Sequence, residues 1–205
     1  MSNLFPLLCF PSVGLTQQWM HAENPVFEVH DHYQKQTFRN RYIILQSTGV
    51  QALSIPVHFH KHGEPGYASI QIDNRTPWFR THWRSLCTAY NKAPFFEHYS
   101  PFLENLLNGA PSGLMDFNLK VHHWLQKVIN LPDFSLSTTW KPLESPEQRD
   151  YRSLDQVRHE LHLQHASYTQ VFSDRLAFTP GCSVLDLLFN AGPESYWILK
   201  GNGLK

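Results

Sequence analysis

Apolar and polar residues alternate through Val26–His30, with Val26, Glu28 and His30 on one side and Phe27 and Val29 on the other. This two-residue period predicts a strand. Before it, Leu4–Phe10 is an apolar run of strand length, broken by Pro6 and punctuated by Pro11-Ser12-Val13-Gly14. Leu15–Ala22 between them fits a short helix with Leu15, Trp19 and Met20 inward. Strand, helix, strand is the opening of an α/β unit. Tyr42–Leu45 and Ala52–Val57 then predict a hairpin turned at Gly49, with Pro56 placing its second strand at an edge or an end. Tyr67–Ile72 alternates again and predicts another strand.

Beyond residue 75 the period changes to that of helices. Over Pro77–Asn91, successive 100° steps put Trp78, Phe79, His82, Trp83, Leu86, Cys87, Ala89 and Tyr90 on one half, and Arg80, Thr81, Arg84, Ser85, Thr88 and Asn91 on the other. Ser100-Pro101 reads as an N-cap and first-turn proline for a helix over Phe102–Asn108. Asp116 or Asn118 could cap a third helix carrying Phe117, Val121, Trp124, Leu125 and Val128 inward. Leu131–Arg149 reads as a long loop, Tyr151–His165 as a weak helix and Tyr168–Phe172 as a strand. Ser183-Val184-Leu185-Asp186 has the spacing of a capping box and opens an apolar helix that Gly192-Pro193 stops. The expected fold is one α/β domain over residues 1–205. A mixed sheet, drawn mainly from the first 75 residues plus Tyr168–Phe172, is flanked by helices, and a Rossmann-like three-layer core fits the opening best.

Composition narrows the function classes. Hydrophobic residues make up 41% of the 205 and aromatics 14%, which suits a globular core. Seventeen basic residues balance seventeen acidic ones, so bulk charge gives no reason to expect a nucleic acid partner. No run approaches the roughly 20 apolar residues of a membrane span, and the N-terminus lacks a charged leader. Cys9, Cys87 and Cys182 are scattered, with no CxxC. A cytoplasmic protein is expected.

Against this even background, His30–Arg41 stands out. Its twelve residues hold Lys35, Arg39 and Arg41, Asp31 and two histidines, between two apolar runs. Polar residues crowded between strands belong on a loop carried by a rigid scaffold. Lys35, Arg39 and Arg41 could grip a phosphate or carboxylate, and an arginine fork suits bidentate anion binding. Asn40 could bond a sugar or amide, and Asp31 could act as a base or orient His32. Equally, Arg39 and Arg41 could pair with Glu28 and Asp31 and only hold the hairpin.

Several blocks resemble one family. Tyr33–Tyr42 resembles the YQKQTYRNR segment of WbqC-like proteins, particularly Bacteroidetes-type members. Leu53-Ser54-Ile55-Pro56-Val57, His82-Trp83-Arg84, Ala89–Tyr99, Leu114–Asn118, Tyr168–Phe172 and Ser183–Glu194 follow in family order. The resemblance implies a place in O-antigen or other surface-polysaccharide biosynthesis, with a transferase step on an activated or lipid-linked sugar as the usual inference. One departure is local. Where many members carry a Tyr-Leu-Pro-type turn followed by Gly-Tyr-Phe, this chain has Phe10-Pro11-Ser12-Val13-Gly14-Leu15-Thr16.

Other candidates lie outside the loop. His82 is the ionisable residue centred on the apolar face of the first long helix, either a general base or a core histidine bonded within the fold. Tyr90, two turns on, carries the same ambiguity. Asn190 ends a buried helix and needs a partner from fold or ligand. Asp186 has a ready role as the third residue of the capping box. His58, His60 and His62 have ligand-like spacing but run into Gly63-Glu64-Pro65-Gly66, and His159, His162 and His165 lack companions. No metal and no cofactor are expected, and no GxGxxG, P-loop or GxSxG is present. The leading expectation is a transferase-type enzyme with Asp31 and His82 catalytic. Lys35, Arg39, Asn40, Arg41, Tyr90 and Asn190 would then bind a phosphate-bearing small molecule or activated sugar. A non-catalytic binding protein of the same pathway and a small-molecule sensor are the alternatives.

Overall fold

The computed structural model describes residues 2–58, 65–140, 149–155 and 167–201. Its opening is a parallel β-α-β unit. Strand β1 (Ser2–Pro6) pairs in parallel with β2 (Asn24–Glu28), and α1 (Val13–Met20) makes the crossover. Pro6 ends the first strand, so the expected run to Phe10 is shorter by four residues. Residues 7–12 turn inward and are buried throughout. Ser12 caps α1, its Oγ accepting from Leu15 N–H at 3.1 Å, and Leu15, Trp19 and Met20 are buried as their spacing predicts.

Two segments from far along the chain widen this sheet. Strand β7 (Ser135–Leu136) lies parallel to β2, so the stretch expected to be loop supplies a strand. On the other flank, Tyr151 N–H donates to Leu4 O at 2.8 Å and Leu4 N–H donates to Arg149 O at 2.9 Å. Asp150 thereby forms a parallel bridge with Leu4. The remaining strands form two separate antiparallel pairs: β3 (Arg41–Gln46) with β4 (Gly49–Ser54), and β5 (Val57–His58) with β6 (Gln71–Ile72). The α/β class is as expected, with strands divided over three small sheets. Tyr67–Ser69, expected within a strand, is a 3-10 turn instead. Tyr67 donates its hydroxyl to Leu7 O at 3.0 Å, and that bond turns the chain inward.

The helices pack around these sheets. In α2 (Trp78–Tyr90) the buried residues are Trp78, His82, Leu86, Ala89 and Tyr90, the centre of the face read from the periodicity, while Phe79, Trp83 and Cys87 at its margins are half-buried. Helix α3 (Phe96–Asn108) begins six residues earlier than Ser100-Pro101 suggested, and Pro101 lies inside it. Pro101 has no N–H for the Glu97 carbonyl. Ser100 Oγ bonds that carbonyl instead, at 3.4 Å, while Phe96 and Tyr99 gain burial. Helix α4 (Leu114–Ile129) starts after Gly113, not at Asp116 or Asn118, and ends on Asn130 in the left-handed conformation.

Helix α5 (Val184–Ala191) is capped by Ser183 Oγ, which accepts from Leu185 N–H at 3.3 Å. Gly192 follows with φ +53° and the Phe95 ring against it: a Cβ there would lie 2.5 Å from ring carbons. The closing α6 (Ser195–Leu199) packs on α1. Tyr168–Phe172 is not a strand. It runs into turns, because buried Gln170 bonds Thr179 through both ends of its amide instead of joining a ladder. Only Arg152–Asp155 of the expected helix at Tyr151–His165 is described, as a 3-10 turn, and the histidines at 159, 162 and 165 lie outside the described residues, as do His60 and His62.

Candidate functional site

In open parallel sheets, ligands meet the carboxyl ends of the strands, because loops leave there without being committed to the crossover helices. Four segments reach that edge here. Residues 7–12 follow β1, the His30–Arg41 loop follows β2, Ser137–Trp140 follows β7, and Tyr151–Arg152 follows the Asp150 bridge. Side chains from the last three, with Glu28 and Asp150 at the strand ends, form one polar cluster.

Glu28, at the last position of β2, is 3% exposed. Its Oε1 accepts from His30 N–H at 2.8 Å and from Ser137 Oγ at 2.7 Å, and Arg152 Nη1 stands 3.5 Å from Oε2. Arg152 forks onto Asp150, with Nε donating to Oδ1 at 3.0 Å and Nη2 to Oδ2 at 2.7 Å. That hydrogen bonding holds the guanidinium above its ordinary pKa, with Asp150, Glu28 and Asp31 adding their charges. Asp31 in turn accepts from Arg39 Nη2 at 2.5 Å. Trp140 completes the group: the Arg152 guanidinium lies over its ring, 5.7 Å from the centroid.

Arg39 is the innermost cation, at 3% exposure, with its guanidinium also over the Tyr67 ring at 5.9 Å. Backbone bonds fix its segment. Phe38 O accepts from Cys9 N–H at 2.9 Å, and Arg39 O accepts from Asn118 Nδ2 at 2.7 Å. Asn118 therefore ties the loop to α4. Asn40 exchanges bonds with Ile55, its Nδ2 donating to Ile55 O at 2.8 Å. Thr37–Arg41 is thus core-anchored, whereas His30, His32 and Gln34–Gln36 are exposed. Lys35 lies on that exposed part. Arg41 opens β3, and its Nε donates to Ser54 Oγ at 3.0 Å.

The structure brings together Asp31, Arg39, Asn40, Arg41 and Lys35 on one loop. It places His82, Tyr90 and Asn190 in the core packing. His82 is 2% exposed. Its Nε2–H donates to Ser54 O at 3.2 Å, and its Nδ1 accepts from Tyr42 Oη at 3.0 Å. Burial pushes its pKa down to about 4, partly opposed by the Ser54 bond. Both ring nitrogens are occupied, so the core-histidine alternative describes its bonding. Tyr90 is fully buried, and its hydroxyl accepts from Leu45 N–H at 3.0 Å. Asn190 Nδ2 donates back to Asp186 O at 2.7 Å within its own helix.

Asp186 is not a capping-box residue. Its carboxylate turns into the core and accepts from Tyr168 Oη at 2.6 Å and Gln170 Nε2 at 2.9 Å. The N–H it would have capped, that of Ser183, donates to Ile43 O at 2.8 Å. Burial raises the Asp186 pKa, against the Tyr168, Gln170 and Tyr90 bonds that lower it.

The sequence reading overlooked Ser137, Trp140, Asp150 and Arg152, and named Glu28 only as a possible ion-pair partner. A signal existed: Glu28 ends an otherwise apolar strand, and Asp150-x-Arg152 flanks the first aromatic after a polar stretch. Among the described residues, no group of three or more His, Cys, Asp or Glu is arranged to hold a metal ion. His58 instead pairs with Asp73 at 2.9 Å. No helix among the described residues is long and apolar enough to cross a membrane.

The sequence profile of the WbqC-like protein family matches residues 8–161, three-quarters of the chain, and spans the edge cluster from Glu28 to Arg152. The chain belongs to the WbqC-like protein family. It is also similar to the uncharacterized protein Rv1507c of Mycobacterium tuberculosis (strain ATCC 25618 / H37Rv). The two are 26% identical over 195 residues, covering 80% of this chain and 81% of that one. No solved structure matches. Within the family frame, the segment that carried the resemblance, Tyr33–Tyr42, is the loop leaving β2 at the carboxyl edge.

Proposed function

We propose that this WbqC-like protein is a transferase-type enzyme of bacterial surface-polysaccharide assembly, acting on a phosphate-bearing activated sugar at the carboxyl edge of its parallel sheet. The observation that carries the reading is the convergence of Glu28, Asp31 and Arg39 with Asp150 and Arg152 from a distant part of the chain. Asp31 is the candidate proton acceptor, at 20% side-chain exposure, and Arg39 orients it. Lys35 and Arg41, on the outer parts of the loop, are the candidate phosphate contacts. His82 supports the hairpin behind them and takes no proton in this scheme.

The test is a thermal-shift screen against nucleotides, nucleotide sugars and acyl donors. A stabilising nucleotide sugar whose effect is lost in Lys35→Ala with Arg41→Ala, followed by turnover that Asp31→Asn abolishes, is the expected result. The absence of any phosphate-bearing hit overturns it. A non-catalytic protein binding a sugar or lipid-linked intermediate is the second reading. It draws on the closed Asp31–Arg39 pair, which leaves the carboxylate engaged. Binding without turnover would select it.

A further inference from the structure

We infer that Trp140 is the stacking platform for the sugar ring of the ligand, with Arg152 positioning it and the Asp31 and Asp150 carboxylates receiving the ring hydroxyls. This inference rests on the carboxyl-edge reading above and names the substrate part that the edge contacts.

An exposed indole beside the polar cluster is the first observation. Trp140 is 53% exposed, yet its ring lies against the Arg152 guanidinium at 5.7 Å. Arg152 is itself fixed by its fork onto Asp150 and by Glu28. A large aromatic side chain open to water and anchored beside a polar cluster is a common feature of ligand sites. It also comes from β7 while Arg152 comes from the opposite flank of the sheet, so the pair reaches across the carboxyl ends of β1 and β2.

Charge is the second observation. Glu28, Asp31 and Asp150 face two guanidiniums, and both guanidiniums are already engaged by carboxylates. A phosphate brought to this point would meet excess negative charge and no uncommitted cation of the cluster. Sugar hydroxyls, by contrast, donate to carboxylate oxygens, and Asp31 and Asp150 each keep 20% side-chain exposure. The apolar face of a pyranose matches the indole face. The cluster therefore selects the ring, and the phosphate falls to the outer loop.

The test is saturation-transfer NMR on the full chain with N-acetylglucosamine, glucose, galactose, their uridine-diphosphate derivatives, and uridine diphosphate alone. The expected result is transfer to sugar-ring protons of at least one probe. Its affinity should fall about tenfold in Trp140→Ala and less in Trp140→Phe, with the melting temperature of both variants unchanged. Equal transfer in Trp140→Ala overturns the inference, as does Trp140-dependent transfer confined to the uracil protons. Turnover of a nucleotide sugar that ignores Trp140 overturns the platform and leaves the transferase reading standing. Trp140-dependent sugar binding without turnover does the reverse. No transfer to any probe overturns both.

Discussion

Asp31 and Asp186 are carboxylates in two polar clusters built on opposite principles. Asp31 sits at the sheet edge with Arg39 2.5 Å away and Arg152 close enough to share its field. Asp186 sits in the core, fully buried, with tyrosine and amide donors in place of a cation, and its Oδ1 has no hydrogen-bond partner among the described residues. In the first cluster, arginines pair with the carboxylates where solvent and ligand can reach them. Desolvation pushes the second toward its neutral form, so it serves as a hydrogen-bonded anchor for residues 168–182. The difference separates a place where charge is available to a ligand from one where charge is suppressed to keep packing.

The largest break of this comparison is Asp31→Ala. It strands Arg39, which is 3% exposed, without its carboxylate. A loss of about 3 kcal/mol in denaturant unfolding is expected, recovered in part by the Asp31→Ala, Arg39→Met double variant. If the single variant loses less than the double, the pair is not what holds the loop.

Asp186→Ala follows, at about 2 kcal/mol, because the Tyr168 hydroxyl and Gln170 amide lose their acceptor. The pH dependence identifies the cause. With its folded pKa raised, Asp186 contributes stability that is complete below the ordinary aspartate pKa and is lost as pH rises through the folded value. Asp186→Asn cannot lose a proton. Its melting temperature should therefore improve relative to the native chain as pH rises from 4 to 7. A constant difference would show that Asp186 is charged throughout.

These two clusters also mark what a sequence can reveal. The apolar face of α2, the β1-α1-β2 opening and the hairpin were legible because each depends on neighbours within a few residues. The edge cluster was half legible. Its loop is contiguous, but Glu28, Ser137 and Arg152 meet only through parallel pairing across more than a hundred residues, which leaves no local period. Asp186 was misread because Ser-x-x-Asp has capping-box spacing, and only the fold reveals that Ser183 N–H is taken by Ile43. Tyr168–Phe172 reads as a strand, but Gln170 has a better set of partners in Thr179 and Asp186.

His122 extends the core side of the comparison with the opposite sign. It is fully buried, stacked on Trp19 at 5.5 Å, bonded through Nδ1 to Asn118 O at 2.8 Å, and its Nε2 has no hydrogen-bond partner among the described residues. Burial pushes its pKa down to about 4, so the stability tied to its neutral form is complete above its ordinary value of 6.5. That stability is lost as pH falls from there toward 4, by about 2 kcal/mol between pH 7 and pH 5. His122→Phe should flatten this acid limb in urea titrations, while Asp186→Asn, which removes a dependence of opposite sign, should steepen it. An unchanged limb would shift the acid sensitivity to His82, whose pKa moves the same way.

The smallest expected effect on the fold is the sharpest test of the edge. Arg41 is partly exposed, and its Nε donates to Ser54 Oγ on the paired strand at 3.0 Å. Arg41→Ala should cost no more than about 0.5 kcal/mol, the usual scale for a surface side chain. Arg39, a short way along the same loop, carries the same charge but is buried against Asp31. If phosphate binding belongs to the outer loop, Arg41→Ala should weaken inorganic phosphate or nucleotide binding at unchanged melting temperature, and raising the salt concentration should shrink the difference. If binding survives Arg41→Ala but falls in Arg39→Lys at matched stability, the anion reaches the buried arginine. The Asp31–Arg39 pair must then open to admit it, and the paired cluster at the edge would be a gate instead of a wall.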